Sequence, residues 1–189
     1  MTHKISRDEA IKAYDLVLEY LSDGNSKYRT DMFKTPERYI KMMEELTTPE
    51  PFQWTCFDNE DGDAGMIIQG PIYIQSLCAH HTAIFRGTAF VAYIPNEKIV
   101  GLSKLARCVR NSGKRFGTQE EITTDIAEQI QEHLEPLGVA VQLKMAHDCM
   151  ATRGVKAPEA YTVTTKLTGA FLETKARDEF LAAIAETSR

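Results

Sequence analysis

Residues 66–95 read MIIQGPIYIQSLCAHHTAIFRGTAFVAYIP and carry the clearest indication of the fold class. It contains two runs of β-branched and aromatic residues, with turn-forming residues between them and after the second run. The sequence therefore predicts two strands that pair antiparallel. Cys78, His80 and His81 lie where the first strand ends. Adjacent histidines on an extended backbone point to opposite faces, so His80 and His81 are not expected to bind one ion side by side.

The pattern outside this stretch places helices before and after it. A capping residue followed three positions later by glutamate begins helices at Ser6 and Thr118, and Gly24 is expected to stop the first helix. In chain order the predicted elements are helices at 6–24 and 35–46, strands at 66–78 and 82–95, helices at 101–113 and 118–134, strands at 138–154 and 160–169, and a helix at 174–186. This order predicts an α+β fold with an antiparallel sheet, not a doubly wound parallel sheet.

Length and composition limit the class of protein further. The chain has 189 residues, 43% of them apolar, and a net charge of −5. We predict an N-terminal helical segment with a polar loop at 1–60, followed by one structural unit at 61–189. The acidic charge argues against nucleic-acid binding as the main function, and no apolar run is long enough to span a membrane. Four widely spaced cysteines and a polar N-terminus predict reduced thiols and a cytoplasmic location.

A second Cys/His grouping follows the strand predicted at 138–154. Apolar side chains alternate along this strand, and His147 and Cys149 continue the same face. For each residue taken singly, the commoner role is a core cysteine or a hydrogen-bonded histidine. Two separate segments that each end with histidine and cysteine at short spacing favour a shared site instead.

The two groupings together have the composition of a zinc site. Cys78, His81 and Cys149 would supply two thiolates and one imidazole. Three protein ligands leave a fourth coordination position open, which is typical of catalytic zinc that activates water near neutral pH. His80 and His147 would then remain as imidazoles near the metal, suited to proton transfer.

Cationic side chains recur at short spacing in this acidic protein. They are Arg38 with Lys41, Lys104 with Arg107, and Arg153. Ser103 is the expected N-cap of the helix that carries the second pair. Each pair alone is typical of a solvated helix face. Together they would form a pocket for a polyanion, to which helix N-termini add amide donors.

Gln119 and Glu120 lie in the first turn of the helix predicted at 118–134. A carboxylate is favoured there by the helix dipole, so simple stabilisation of the helix start is one explanation. The alternative is recognition of a guanine-like ring. A carboxylate accepts from the ring N–H and the exocyclic amine, and an amide both donates and accepts.

Four segments carry a family resemblance. They are LCAHH at 77–81, AYIPNEKIVGLSKLAR at 92–107, TQEEIT at 118–123 and AHDCMATRG at 146–154. In this order they resemble GTP cyclohydrolase I, the first enzyme of pterin biosynthesis. The resemblance implies a tunnelling fold (T-fold), with helices on one side of the antiparallel sheet, for a catalytic domain at 61–189. It also implies a toroidal homodecamer whose active sites lie between subunits.

The resemblance implies roles for residues of the catalytic centre at matching positions. The zinc ligands would be Cys78, His81 and Cys149. The catalytic histidines would be His80 and His147. The bound cofactor is therefore expected to be Zn²⁺, with one ion in each chain.

Substrate contacts follow from the same matching positions. Gln119 and Glu120 would anchor the guanine ring of GTP. Four residues match the triphosphate site, namely Ser103, Lys104, Arg107 and Arg153. Arg38, and with it Lys41, would reach the substrate across a subunit boundary. The implied reaction is hydrolytic opening of the guanine imidazole ring of GTP, which gives 7,8-dihydroneopterin triphosphate and formate.

The chain departs from the family pattern at several positions. Ala79 replaces the glutamate of the Cys-Glu-His-His motif, and Ala151 replaces a frequent lysine. Losing a group that orients metal ligands commonly costs about 10- to 100-fold in metal affinity or activity. A catalytically inactive T-fold subunit that binds a pterin or purine is therefore an alternative. A deazaguanine nitrile reductase-like enzyme is another; it would need a nucleophilic cysteine and a nicotinamide cofactor, and bound zinc would argue against it.

Overall fold

A computed structural model of the chain describes residues 5–23, 30, 32–60, 62 and 65–187. Gly24, the predicted helix stop, lies outside these residues. The chain divides into two compact units, residues 1–46 and 47–189, so the segment after the second helix belongs with the sheet. Among the described residues, no helix combines the length and apolar character needed to cross a bilayer.

The order of the main helices and strands is the one predicted, with a few short elements added. The helices are α1 (Arg7–Ser22), α2 (Thr35–Thr47), α3 (Leu102–Ser112), α4 (Gln119–Leu134), α5 (Asp148–Ala151) and α6 (Thr174–Thr187), and a 3₁₀ helix spans Gly169–Leu172. The strands are β1 (Cys56–Asp58), β2 (Ile67–Cys78), β3 (Ile84–Ile94), β4 (Lys98–Val100), β5 (Phe116–Gly117), β6 (Gly138–His147) and β7 (Thr162–Leu167).

Helices α1 and α2 belong to the first unit. The predicted capping box begins α1, since the Glu9 N–H donates to the Ser6 hydroxyl and the Ser6 N–H donates to the Glu9 carboxylate. The rings of Tyr14 and Tyr39 stack at a centroid distance of 3.8 Å, which joins the two helices. None of the side chains of α1 is fully buried, and Leu16 is 67% exposed. Val17, Tyr20 and Leu21 are exposed as well, so α1 presents an apolar surface to solvent in the single chain.

The second unit is built on a five-stranded sheet in the order β5-β2-β3-β6-β7. The three pairs among the long strands are antiparallel, which confirms the predicted α+β class. Strand β5 pairs with β2 in parallel over only two residues. A separate pair, β1 with β4, anchors the segment that precedes the sheet.

Helices α3 and α4 cover one face of the sheet, as expected. The apolar residues of α4 repeat at four-residue spacing, and all four are fully buried: Ile122, Ile126, Ile130 and Leu134. The opposite face is covered in part by α6 and the 3₁₀ helix, where Phe171 and Phe180 pack on Phe90 and Ala140. Successive residues of a strand therefore pack in two different hydrophobic cores, one on each face of the sheet, because side chains alternate between the faces.

Candidate ligands lie at the ends of two strands, of which β2 ends where it was predicted to end and β6 ends seven residues earlier than predicted. Strand β2 ends at Cys78, and the chain then turns: the N–H of Thr82 donates to the Cys78 carbonyl at 2.8 Å. The two histidines therefore lie in a turn and not on an extended backbone. Strand β6 ends at His147, and Cys149 lies in the helical turn α5. The expectation that Cys149 continues the strand was wrong, because the helical turn changes the direction of its side chain.

Candidate metal centre and active site

The structure brings together the three predicted metal ligands. The ligand atoms of Cys78, His81 and Cys149 all lie within 4.8 Å of one another. Sγ of Cys78 is 3.7 Å from Nδ1 of His81. A tetrahedral zinc ion with ordinary bond lengths separates a sulfur and a nitrogen ligand by about 3.6 Å. The donor types and this separation fit a zinc ion, and the residues are positioned by two chain segments far apart in sequence.

Backbone hydrogen bonds fix the position of Cys78 from two sides. Its N–H donates to the carbonyl of Ala83 at 2.8 Å, which closes the histidine turn. The next N–H, of Ala79, donates to the carbonyl of Gly117 in β5 at 3.2 Å. The two-residue strand β5 therefore links the end of β2 to the start of α4. Ala79 itself is exposed and supplies no carboxylate to the group.

The two thiols lie close enough to influence each other. Burial raises the pKa of the Cys149 thiol, and the neighbouring Cys78 raises it further. Arg153 has the opposite effect on the same thiol, which places its charge near the group. Two adjacent thiolates without a cation repel each other, whereas a divalent cation stabilises both charges. The electrostatics of the pair therefore favour a bound cation.

His147 is held by two neighbours at the end of β6. Its Nε2 lies 2.9 Å from Oε1 of Gln119. Its ring stacks on Phe85 with a centroid distance of 4.7 Å and an interplanar angle of 3°. Burial lowers the pKa of His147, and the carboxylate of Glu120 opposes that shift. The neutral imidazole is thus favoured near neutral pH.

His80 lies beside the metal group without belonging to it. Its Nδ1 is 3.9 Å from Sγ of Cys78, and its ring meets that of His81 edge-on at 6.2 Å. The side chain is exposed. The turn therefore places His81 among the three candidate ligands and leaves the adjacent His80 beside them.

Gln119 and Glu120 have different surroundings although they are neighbours. Gln119 is 1% exposed, and its amide nitrogen lies within hydrogen-bond distance of three oxygens in β6 and β7. Glu120 is exposed, and no described residue donates a hydrogen bond to it. The predicted contacts of both with a guanine ring stay predictions. Of the two, Glu120 has the side chain that is free to contact a ligand.

The candidate phosphate contacts of the second unit lie on α3 and after α5. The expectation that Ser103 is the N-cap of α3 was wrong, because the helix begins at Leu102 with Gly101 as its N-cap and Ser103 lies in the first turn. Ser103 and Arg107 line a cavity of about 370 Å³ together with Arg110 and Lys114. Arg110 was missed in the sequence, although it follows Arg107 at the same three-residue spacing that identified Lys104. Lys104 lies in the same helix but does not line this cavity. The helix therefore presents more positive charge than the sequence motif alone indicated.

Arg38 and Lys41 lie on α2 in the first unit. Both are exposed, and the ammonium group of Lys41 is 3.9 Å from the carboxylate of Glu45. Exposed pairs of this kind contribute little to stability. The contact of Arg38 and Lys41 with a substrate across a subunit boundary stays a prediction.

Comparison with known proteins gives the relationships of the chain. The profile of a family described as GTP cyclohydrolase I matches residues 11–185. GTP cyclohydrolase 1 of Sulfurihydrogenibium sp. (strain YO3AOP1) is 42% identical over 178 residues, which cover 94% of either chain. GTP cyclohydrolase 1 of Aquifex aeolicus (strain VF5) is 40% identical over 178 residues, 94% of this chain and 96% of its own. Among solved structures, the apo form of the archaeosine synthase QueF-Like aligns with 56% of this chain and 93% of its own, at 17% identity and a TM-score of 0.42.

The match to the family profile extends over both compact units. It begins within α1 and ends within α6, so it includes the metal group and the exposed cations of α2. The matches to the two GTP cyclohydrolase 1 proteins also extend over nearly the whole length of those proteins. The chain belongs to the GTP cyclohydrolase I family.

Proposed function

We propose that this protein is a GTP cyclohydrolase I, a hydrolase that opens the guanine imidazole ring of GTP and yields 7,8-dihydroneopterin triphosphate and formate. The observation that carries the proposal is the convergence of Cys78, His81 and Cys149 in a chain of this family, with His80 beside Cys78. His147 lies at the N-cap of the helical turn that holds Cys149. The relatives that support it bear the name GTP cyclohydrolase 1 and match along nearly their whole length.

The metal of this site is proposed to be zinc. Cys78, His81 and Cys149 would hold it, since two thiolates and an imidazole are ligands that zinc favours. When bound, zinc supplies Lewis acidity and activates water for attack near neutral pH. The raised pKa of Cys149 means that binding would release a proton from its thiol.

The chain's own residues perform the proton transfers and bind the substrate. His147 and His80 would take and return protons as the ring of guanine opens and formate leaves. Glu120 would accept hydrogen bonds from the ring N–H and the exocyclic amine of guanine, and Gln119 is assigned to the same subsite by the family pattern. The triphosphate would be bound by the side chains that the family pattern places there: Ser103, Lys104, Arg107 and Arg153.

We also propose a ring-shaped homo-oligomer, a decamer, in the cytoplasm. Arg38 and Lys41 would come from a neighbouring subunit to complete the triphosphate site. The exposed apolar surface of α1 supports association, because a monomer in solution rarely leaves a large surface of this kind uncovered. The family pattern supports the number of subunits.

Ala79 favours a second candidate, a subunit that binds a pterin or purine without catalysis. The missing carboxylate would weaken the orientation of the metal ligands. In this case the folded protein would bind GTP and leave it unchanged. A reductase of the deazaguanine nitrile type would instead be active without metal.

The deciding experiment incubates the zinc-loaded protein with GTP and follows both formate release and the fluorescence of the oxidised pterin product. We expect both products in equal amounts, and none with the Cys149→Ser protein. Binding of GTP without formate would support the non-catalytic candidate and refute the proposal. Activity that survives complete removal of zinc would refute the metal assignment.

A further inference from the structure

We infer that Gln119 is a positioning residue that fixes the ring of His147 with the proton on Nε2, and leaves Nδ1 to exchange protons during the reaction. The kinetic part of this inference rests on the proposed function. Gln119 was expected from the sequence to contact the base of the substrate. Its surroundings point to a positioning role in place of the base contact that the family pattern assigns, because the side chain is 1% exposed and its hydrogen bonds run into the protein.

The orientation of the Gln119 amide follows from its neighbours. One end of the amide lies 3.3 Å from the carbonyl oxygen of Leu143 and 3.1 Å from that of Thr162. Carbonyl oxygens only accept hydrogen bonds, so this end must be the donating NH₂ group. The oxygen Oε1 must then face His147. An amide oxygen also only accepts, and Nε2 of His147, 2.9 Å away, must therefore carry a proton.

Two threonines close this arrangement into a directed loop. The hydroxyl of Thr123 donates to the backbone carbonyl of Gln119, four residues earlier in α4, at 2.6 Å. Its oxygen is then left to accept from the hydroxyl of Thr164, 2.6 Å away. Thr164 in turn accepts from the amide of Gln119 at 3.0 Å. Rotating the amide by half a turn would place its oxygen against two carbonyl oxygens and break the loop.

The ring of His147 is thereby fixed in two respects. Stacking on Phe85 fixes the plane of the ring, and the bond to Gln119 fixes its rotation within that plane. No hydrogen bond to Nδ1 occurs among the described residues. In the neutral ring, Nδ1 then carries the lone pair and is the atom available to accept a proton.

The chain contains a matched control on the other face of the same two strands. Gln142 of β6 donates to the hydroxyl of Thr165 in β7 at 3.3 Å, and this pair touches neither His147 nor the metal group. The inference is tested with Gln119→Met and Thr164→Val, each of which removes one side of the glutamine–threonine hydrogen bond. Gln142→Met and Thr165→Val remove the same groups from the control pair without altering the surroundings of His147. They report the general effect of losing a glutamine–threonine bond to β7, although the control bond comes from β6 and is exposed, whereas Gln119 reaches Thr164 from α4.

The first test measures the position of the proton directly. Solid-state NMR of the full-length, zinc-loaded protein with ¹⁵N-labelled histidine would distinguish the two tautomers, and loss of one signal in His147→Gln would assign His147. We expect the Nε2-protonated form in the wild type and in Gln142→Met, and a mixture of tautomers in Gln119→Met. An Nδ1-protonated ring in the wild type, or an unchanged spectrum in Gln119→Met, would overturn the inference.

The second test separates positioning from base recognition. Positioned proton transfer contributes about 10²- to 10⁴-fold to turnover, so we expect Gln119→Met to lose about 10- to 100-fold in kcat. KM for GTP and the preference for GTP over ITP should stay near the wild-type values. A raised KM and lost preference with unchanged kcat would instead assign Gln119 to the base and overturn the positioning role.

A milder pair of variants guards against a failure of Gln119→Met to fold. Thr164→Val keeps the shape of the side chain but removes the hydroxyl, and Thr164→Ser keeps the hydroxyl. We expect the valine variant to lose kcat and to shift the tautomer signal, and the serine variant to restore both; equal behaviour of the two would overturn the inference. If the wild type does not act on GTP, the proposed function fails, and the NMR result alone still decides the role of Gln119.

Discussion

Replacing Glu120 with glutamine tests how the protein would select guanine. Two adjacent carboxylates begin α4, and they differ in their contacts. Glu121 accepts the backbone N–H of Thr118 at 2.9 Å as part of the capping box. Glu120 is exposed, and its charge is near His147. Glu120→Gln therefore alters a side chain available to substrate, and Glu121→Gln is a matched control that removes the same charge one residue away.

The expected effect follows from the hydrogen bonds that guanine can make. Guanine offers two N–H groups to a carboxylate, and hydrogen bonds to a charged group contribute about 1.5–3 kcal/mol, against about 0.5–1.5 kcal/mol for neutral pairs. An amide keeps one acceptor but turns an N–H toward one of the guanine donors. We expect Glu120→Gln to weaken the binding of guanine in the transition state by about 1–3 kcal/mol, so kcat/KM for GTP should fall roughly 5- to 150-fold.

The assay compares kcat/KM for GTP, ITP and ATP in the wild type and both variants. ITP lacks the exocyclic amine, so the advantage of GTP over ITP should shrink in Glu120→Gln and persist in Glu121→Gln. Discrimination against ATP should fall in the same variant. Unchanged selectivity in Glu120→Gln, or equal losses in the two variants, would refute the reasoning and leave Glu120 as a carboxylate that only stabilises the start of the helix.

Three further predictions concern the metal group and the start of α4. Cys149→Ser should lose zinc, measured by elemental analysis, together with turnover, and Cys56→Ser, outside the metal group, should keep both; full zinc content in Cys149→Ser would contradict the ligand assignment. His80→Ala and His147→Ala should keep zinc and lose about 10²- to 10⁴-fold in turnover, and normal turnover in both would remove them from the mechanism. The hydrogen bond from the backbone of Thr118 lowers the pKa of Glu121. The ionised carboxylate therefore stabilises the folded protein at pH values above its pKa in the unfolded chain, and this stabilisation is lost as the pH falls through its pKa in the folded protein. Glu121→Gln should therefore unfold at lower denaturant concentration than the wild type at neutral pH, and a gap that persists in acid would contradict this.

The parts of the fold that were predictable are those that local patterns determine. The capping boxes at Ser6 and Thr118 and the apolar repeat of α4 depend on residues within a few positions of one another, and the structure has them as predicted. The two strand pairs, β2 with β3 and β6 with β7, also followed from alternation and composition, whereas the pairing of β3 with β6 joins strands far apart in the chain and was not predicted. The two-residue strand β5 gave no such signal, because it is too short for periodicity.

The site was predictable as a set of residue types but not in its geometry. Cys149 was wrongly predicted to continue β6, because alternation does not show where a strand ends and a helical turn begins. The hydrogen bonds of Gln119 reach Leu143 and Thr164, which lie 24 and 45 residues away in the sequence. No local pattern reports such partners. Only the folded sheet shows that this side chain faces His147 and not solvent.

The last prediction concerns assembly and uses the division of the cations between the two units. A triphosphate carries about four negative charges near neutral pH, and an acidic chain must bring several cations together to bind it. Arg38 lies on α2, whereas Arg107 and Arg153 belong to the unit that carries the metal group. If Arg38 comes from a neighbouring subunit, each chain contributes to two sites.

Sharing of this kind makes two inactive proteins complement each other. Arg38→Ala subunits lack the contributed cation, and His147→Ala subunits lack the proton-transfer group, so neither homo-oligomer should turn over GTP. After subunit exchange, some sites in mixed rings would combine an intact Arg38 from one chain with an intact His147 from another, and activity should return in part. Lys41→Ala in place of Arg38→Ala tests the second cation in the same way. Proven exchange without recovery would contradict a shared site, and a fully active monomer in light scattering would refute the assembly itself.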